Sequence, residues 1–299
     1  MYFIPKYRRG VYNKYRRGMS SLEKFLKDAN HFYLLVRNYF RNGFQHKTLL
    51  AHPHYPSRNS TIYKVAKKLG LNITNKPGKH IDLAIYWEYA TIREEYHELE
   101  ALADRVQVLN LQSRDISKVF VDDVFYEVFG YRTFVDPLTF KGKCVQKSDI
   151  NAQHDGKVID CPINKKEEGY IYQLLINNEV ENDFVEDIRV PVVMEALPII
   201  YMKYRTISSR FKNLAGKSRV EKIETVLTPE EISLINVFCK RIKLEYGEID
   251  VLRNKDDGKI YIVDVNNTAQ GPPTNIIPED GKYSIDVIAD YFKKAFLSN

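Results

Sequence analysis

Two acidic positions inside a hairpin signature constrain this chain more than any other feature. Residues 247–268 read GEIDVLRNKDDGKIYIVDVNNT. Glu248 to Leu252 alternates polar and apolar residues, and Ile260 to Asn266 is β-branched and aromatic, turning polar at its far end. Between them, Asp256-Asp257-Gly258 is hairpin chemistry, because glycine accepts a positive φ without steric cost. A loop centred on Asp257 sets Asp250 opposite Asp264, and the two-residue repeat of a strand puts Asn266 on the same face as Asp264. Carboxylates directly opposed on neighbouring strands repel each other. A cation between them removes the conflict. Two aspartates and an asparagine oxygen are hard ligands suited to Mg²⁺, which keeps several waters and adds substrate phosphates. Asp250, Asp264 and Asn266 are therefore the candidate metal ligands.

The 299 residues allow one large or two modest domains with ample core. Hydrophobic residues at 44% and charged residues at 28% match a globular protein rather than a disordered one. No apolar run approaches the 18 or so residues of a membrane span. The basic N-terminus lacks the apolar core and small-residue cleavage site of a secretory signal. Three cysteines, Cys144, Cys161 and Cys239, are widely spaced and odd in number, so reduced thiols in a cytoplasm are the simplest reading. His46, His52, His54, His80, His97 and His154 show no ligand spacing and read as structural or surface groups. A net charge of +6 favours anionic partners without choosing among nucleotide, nucleic acid and membrane.

Residues 1–45 read as a basic arm followed by helices. KYRRG occurs at 6–10 and again at 14–18, with tyrosines between the charges and no acid. Such a segment tracks phosphates, lies on anionic lipid, or simply packs its aromatics on the body. Ser20 or Ser21 caps a helix through Leu22–Leu26 toward the aromatic stretch 32–40. Residues 46–113 then alternate strand and helix. TLLAHP at 48–53 is a strand; Asn59 or Ser60 caps a helix ending at Gly70; IDLAIYW at 81–87 is a buried strand; 91–104 is a charged helix; VQVLNL at 106–111 is a further strand. This β–α–β–α–β order predicts a small parallel sheet with crossover helices.

The region 114–299 carries the remaining candidates. Asp115 reads as the N-cap of a helix ending at Gly130, and Lys118 near that anion-favouring start is placed to meet a phosphate. KCVQK at 143–147 reads as a strand ending in Lys147. YIYQLLINN at 170–178 is continuously apolar and reads as a strand buried on both faces. Thr228-Pro229-Glu230-Glu231 is a capping-box helix start, and a closing helix runs from Ser284.

In order, Lys118, Lys147, the 170–178 strand, Asp187-Ile188-Arg189-Val190 and the Asp250…Asp264-x-Asn266 hairpin resemble the ATP-grasp superfamily over residues 48–290. The likeness is greatest to its glutamate-adding, ribosomal-protein-modifying branch of carboxylate–amine ligases. Tyr201–Arg205 and Arg210–Asn213 resemble that branch's M-x-R and F-R-x-N segments. The resemblance implies an α+β ATP-grasp fold behind a small Rossmann-like α/β lobe, binding ATP with Mg²⁺. It implies that Lys118 and Lys147 face phosphates, that Gln173, Leu174, Leu175 and Ile176 form the adenine hinge, and that Asp187 and either Glu179 or Glu181 approach the ribose. It places Arg189 by the phosphates, with Arg205 and Arg210 assigned to the acyl-phosphate side. The chain departs from the pattern in three ways. Asp264 stands where most members have Glu, Lys212 stands where Arg is usual in the F-R-x-N segment, and loop 148–156 has one glycine, Gly156, with Asn151, Gln153 and His154 where small residues are usual. Either that loop is longer and works through side chains, or phosphate handling is impaired. The implied activity is joining a carboxylate to an amine through an acyl phosphate. The alternatives are an ATP-grasp kinase of small molecules and a degenerate module acting through the basic arm.

Overall fold

The computed structural model describes residues 20–23, 25, 26, 29, 33, 36, 37, 40, 47–78, 80–151, 153, 155–181, 183–212 and 216–298. The KYRRG repeats lie outside these residues. The chain forms two compact units, 1–46 and 47–299. In the first, Ser20 caps a helical stretch: its Oγ accepts from the Glu23 N–H, while the Glu23 carboxylate accepts from the Ser20 N–H at 2.8 Å.

The second unit opens with a parallel four-stranded sheet in the order β2-β1-β3-β4, made of β1 (Thr48–Pro53), β2 (Asn72–Thr74), β3 (Leu83–Trp87) and β4 (Val108–Leu109). All five residues of β3 are buried, as expected of a parallel strand covered on both faces. Helix α1 (Thr61–Leu69) follows Ser60 and stops at Gly70, whose φ of 73° is the left-handed conformation that glycine adopts freely. Its apolar stripe of Ile62, Val65 and Ala66 packs into a core that also holds Trp87, Tyr246 and Phe292.

Three expected elements here are shorter, the strand read at 81–87 among them, since β3 starts at Leu83. The charged helix of 91–104 is only α2 (His97–Ala103). Arg93 draws residues 91–96 out of helix: it is 4% exposed, and its guanidinium donates to the carbonyls of Tyr86, Ser113, Glu88 and Asn267. The strand expected at 106–111 contracts to β4, and Asn110 takes a positive φ of 57°.

Helix α3 (Lys118–Phe129) begins later than Asp115. Ser117 is its N-cap, accepting from the Phe120 N–H, while Asp115 Oδ1 accepts from the Ser117 N–H one step before. Gly130 ends the helix as expected. A three-stranded antiparallel sheet follows in the order β6-β5-β7, from β5 (Gly142–Ser148), β6 (Lys157–Cys161) and β7 (Tyr170–Leu174). The strand expected over 170–178 therefore ends at Leu174, leaving Leu175 and Ile176 in a connection. Polar Asn177 and Asn178 close it by bonding to other segments.

The largest sheet has the order β12-β11-β9-β13-β14, with β8 and β10 added on β9. Its strands are β8 (Glu179–Val180), β9 (Phe184–Val193), β10 (Glu195–Ala196), β11 (Ile199–Thr206), β12 (Lys217–Lys222), β13 (Tyr246–Arg253) and β14 (Ile260–Asn266). Helix α4 (Pro229–Arg241) has the expected capping box, and α5 (Pro278–Phe296) starts at Pro278 rather than Ser284, six residues earlier. Proline at the first helical position gives up an N–H that has no intrahelical partner there. One face of the sheet presents Ile188, Val190, Ile200, Met202, Ile249, Val251, Ile262 and Val265 to a core shared with α3 and α4. The alternation that buries these residues turns their neighbours to the opposite face.

Candidate active site

That opposite face carries charge across four strands. In register, Tyr201 on β11 faces Arg189 on β9, Arg189 faces Asp250 on β13, and Asp250 faces Asp264 on β14. Lys203 pairs with Asp187 one step away, and Glu248 pairs with Asn266 on the other side. The expected opposition of Asp250 and Asp264 is present, by a different route. Near the turn, Arg253 faces Ile260, which centres the loop between Asp256 and Asp257. Val251 then faces Ile262, Asp250 faces Asp264, and Val263 is left over as a bulge. Without that extra residue Asp264 would point into the apolar core; the bulge turns it to the charged face.

Asp250 is gripped by Arg189, whose Nε and Nη2 donate to its two oxygens at 2.8 and 2.9 Å. Lys203 Nζ lies 3.9 Å from Asp250 Oδ1. Burial works to raise the Asp250 pKa, but Arg189 and Lys203 outweigh it and hold the carboxyl below its usual range. Asp264 shifts the other way, raised by burial and by Asp250 against the pull of Lys118 and Lys147. Its Oδ1 accepts from the Val265 N–H at 3.1 Å, and among the described residues it forms no ion pair within 4 Å. Glu248 was not foreseen, although counting back two residues from Asp250 finds it. It is 1% exposed, its Oε2 lies 3.4 Å from Arg189 Nη1, and among the described residues its Oε1 has no hydrogen-bond partner. Gly271 makes room for it: a Cβ there would come within 2.6 Å of Glu248 Oε1 and 2.9 Å of Thr61 Oγ1.

These groups fit a divalent cation. A half-buried Asp264, in no ion pair within 4 Å among the described residues, faces a second carboxylate, next to a buried carboxylate oxygen that has no hydrogen-bond partner among those residues. Asn266 Oδ1 now accepts from the Thr268 N–H at 3.0 Å, so its ligand atom closes the following turn. No group of three or more His, Cys, Asp or Glu side chains with metal-holding geometry occurs among the described residues; the expected set is two aspartates and an asparagine, the rest falling to water and phosphate.

The two lysines approach from the neighbouring sheet and helix. Lys147 Nζ donates to the Val263 carbonyl at 3.4 Å, and burial draws its pKa down to about 8 against the attraction of Asp264. Lys118 is 7% exposed and donates to the carbonyls of Asp149 and Ile150 and to Asn151 Oδ1. It therefore organises the loop as well as facing Asp264. Side chains hold the described part of the loop at three points: Asn151 Nδ2 donates to the Val265 carbonyl, Asp155 Oδ1 accepts from the Ser148 N–H, and Asp149 Oδ1 accepts from the Val119 N–H. A Cβ on Gly156 would come within 2.8 Å of the Phe211 ring. His154 and Asn213 lie outside the described residues.

The hinge residues divide between two environments. Gln173 is buried on β7, its Nε2 donating to Thr133 Oγ1 at 2.8 Å, and Leu174 closes the strand. Leu175 and Ile176 lie in the connection, and the Ile176 carbonyl accepts from Arg210 Nη2 at 3.1 Å. Arg210 also donates to Asn178 Oδ1 at 2.6 Å, and Asn178 Nδ2 donates to Asp187 Oδ1 at 3.1 Å. Arg205 forms an ion pair with Asp187. Arg205 and Arg210 thus sit close to Asp187 and the hinge. Glu179 is exposed at the start of β8. The hinge is also tied to the tip of the acidic hairpin. Asn177 N–H donates to Asn254 Oδ1, its Nδ2 donates to Asp256 Oδ1 at 2.7 Å, and its carbonyl accepts from the Lys255 N–H.

Solved structures share this architecture. A D-alanine–D-alanine ligase from Bacillus anthracis, complexed with ATP, is similar at a TM-score of 0.51 and 15% identity, covering 83% of this chain and 95% of its own. The ATP-grasp ligase PsnB, with a phosphomimetic variant of its minimal precursor, Mg and ADP, is similar at 0.52 and 13% identity, covering 82% of this chain and 98% of its own. The chain has the ATP-grasp fold. At these identities the likeness speaks for the fold alone. No family model and no curated protein matches the sequence. No helix among the described residues is long and apolar enough to cross a membrane.

Proposed function

We propose that this chain is an ATP-dependent carboxylate–amine ligase, on the pattern of the glutamate-adding branch that its motifs resemble. One observation carries the reading: within an ATP-grasp fold, Asp250 and Asp264 oppose each other on a sheet face that also receives Arg189, Lys118 and Lys147. Around a triphosphate, three such cations form a clamp. The neighbouring structures with ATP, or with Mg and ADP, agree with it.

In this reading Asp250, Asp264 and Asn266 hold Mg²⁺, with Glu248 beside them. The ion supplies charge neutralisation of the phosphates and fixes their alignment. Lys147 and Lys118 meet phosphate oxygens from β5 and the start of α3. Gln173 to Ile176 line the adenine, and Glu179 and Asp187 lie toward the ribose. Arg205 and Arg210 hold that side in shape through Asp187, Asn178 and the Ile176 carbonyl. Arg189, on the same face beside Asp250, adds its charge to the neutralisation of the phosphates. A substrate carboxylate takes the γ-phosphate as an acyl phosphate and releases ADP; an amine then displaces phosphate. The test is ADP release in a panel of carboxylates and amines. Release that requires both substrates, with an amide as product, and that collapses in Asp264→Asn, supports the proposal. A phosphorylated product without an amide points to a kinase. Failure to bind Mg-ATP by calorimetry sinks both.

A further inference from the structure

The fold brings together two cysteines that are 17 residues apart in sequence. Cys144 Sγ and Cys161 Sγ lie 2.9 Å apart. They sit diagonally on neighbouring antiparallel strands, where Cys144 faces Ile159 and Cys161 faces Gly142. Cys144 is fully buried, whereas Cys161 is partly exposed. A disulfide needs its sulfurs about 2.05 Å apart. Closure therefore asks each sulfur to move by roughly half an ångström, within reach of a small rotamer adjustment. The strand they would clasp is otherwise weakly held. Among the described residues β6 is an edge strand that pairs only with β5 and has no fully buried residue.

We propose that Cys144 and Cys161 form a dithiol site that small-molecule disulfides oxidise to an intramolecular disulfide, locking β6 onto β5 at the end away from loop 149–156. Cys161, the accessible partner, attacks one sulfur of the oxidant as a thiolate and expels the first small thiolate. Cys144 loses its proton, attacks the Cys161 sulfur of the mixed disulfide and expels the second. Two protein thiols give up two protons and two electrons, and the oxidant's S–S bond becomes two thiols. In the free dithiol, burial and the hydrogen bond to Cys161 raise the Cys144 pKa to about 12, so the second step quickens with pH. Cys239, buried in the core beneath the large sheet, is an internal control. The chemistry is independent of whether the chain turns over ATP.

The full chain is incubated with oxidised glutathione, denatured, alkylated and mapped by mass spectrometry. The expected result is a linked Cys144–Cys161 peptide pair lighter by two hydrogens, with alkylation confined to Cys239. The linked protein should melt several degrees above the reduced protein, because the cross-link restricts the unfolded chain. Cys144→Ser, checked for folding by circular dichroism, should stop at a stable glutathione adduct on Cys161, and Cys161→Ser should leave Cys144 unmodified. The proposal is overturned if all three thiols stay free, if wild-type protein accumulates only the Cys161 adduct, or if Cys239 enters the link.

Discussion

Arg189 and Asp250 face each other directly across β9 and β13 and are joined by two N–H···O bonds of 2.8 and 2.9 Å. The fork-to-carboxylate geometry is the strongest form of ion pair, and the side chains are only 19% and 21% exposed. Its effect is to quiet one of two opposed acids and leave the other open. Removing the guanidinium would leave a mostly buried carboxylate between Glu248 and Asp264. Arg189→Ala should cost about 3–5 kcal/mol in urea unfolding. Arg189→Lys keeps the charge and loses the fork, so it should fall between. A loss near zero for Arg189→Ala would mean that solvent already screens the pair.

Asp264 gives a prediction of opposite sign. Its folded-state pKa is raised, first by burial and then by Asp250. A carboxyl raised in this way costs stability above its unfolded pKa, and the cost disappears as pH falls. Asp264→Asn should therefore melt higher than wild type at neutral pH without magnesium, and the gap should shrink toward pH 4. Magnesium should stabilise wild type but not the variant. Thermal melts with and without magnesium across that pH range read both effects.

Lys147 gives a pH dependence for nucleotide binding. Burial draws its pKa down to about 8, well below the ordinary lysine value of 10.5. A bound phosphate favours the charged amine and raises that pKa. Nucleotide binding should then take up a proton between about pH 8 and the ordinary lysine range. Calorimetry in buffers of different ionisation enthalpy should show this uptake, and affinity should weaken as pH rises through 8. Lys147→Met should bind nucleotide weakly at every pH, with no uptake.

The Asn177 bridge predicts coupling between the hinge and the acidic hairpin. Its side-chain amide reaches Asp256 at 2.7 Å, and its backbone is held on both sides by residues 254 and 255. The side-chain bond is exposed, so Asn177→Ala should cost about 1 kcal/mol or less in stability. Because the same residue fixes the hinge, nucleotide affinity should fall several-fold, which a fluorescent ATP analogue would detect. Equal affinity in the variant would show that the backbone bonds suffice.

Local chemistry made much of this fold legible. β1 spans the expected residues, Gly70 and Gly130 end their helices, and the Thr228 capping box forms, because each depends on neighbours within a few residues. The facing of Asp250 and Asp264 was also readable, although the reading assumed a symmetric loop and the chain uses a bulge at Val263 instead. The expected helix at 91–104 begins only at His97 because a buried Arg93 claims carbonyls from distant segments, and the strand over 170–178 stops at Leu174 because Asn177 and Asn178 bond to the hairpin and to β9.

Alternation and turn residues in the sequence alone settled that a hairpin would carry acids on one face, since side-chain direction follows from chain position. Tertiary structure decided what those acids meet. Arg189, Lys203, Lys118 and Lys147 come from four other elements, and Cys144 reaches Cys161 only across a ladder. Such meetings depend on which strands pair and in what register, and a register shift of one residue sends a side chain to the opposite face.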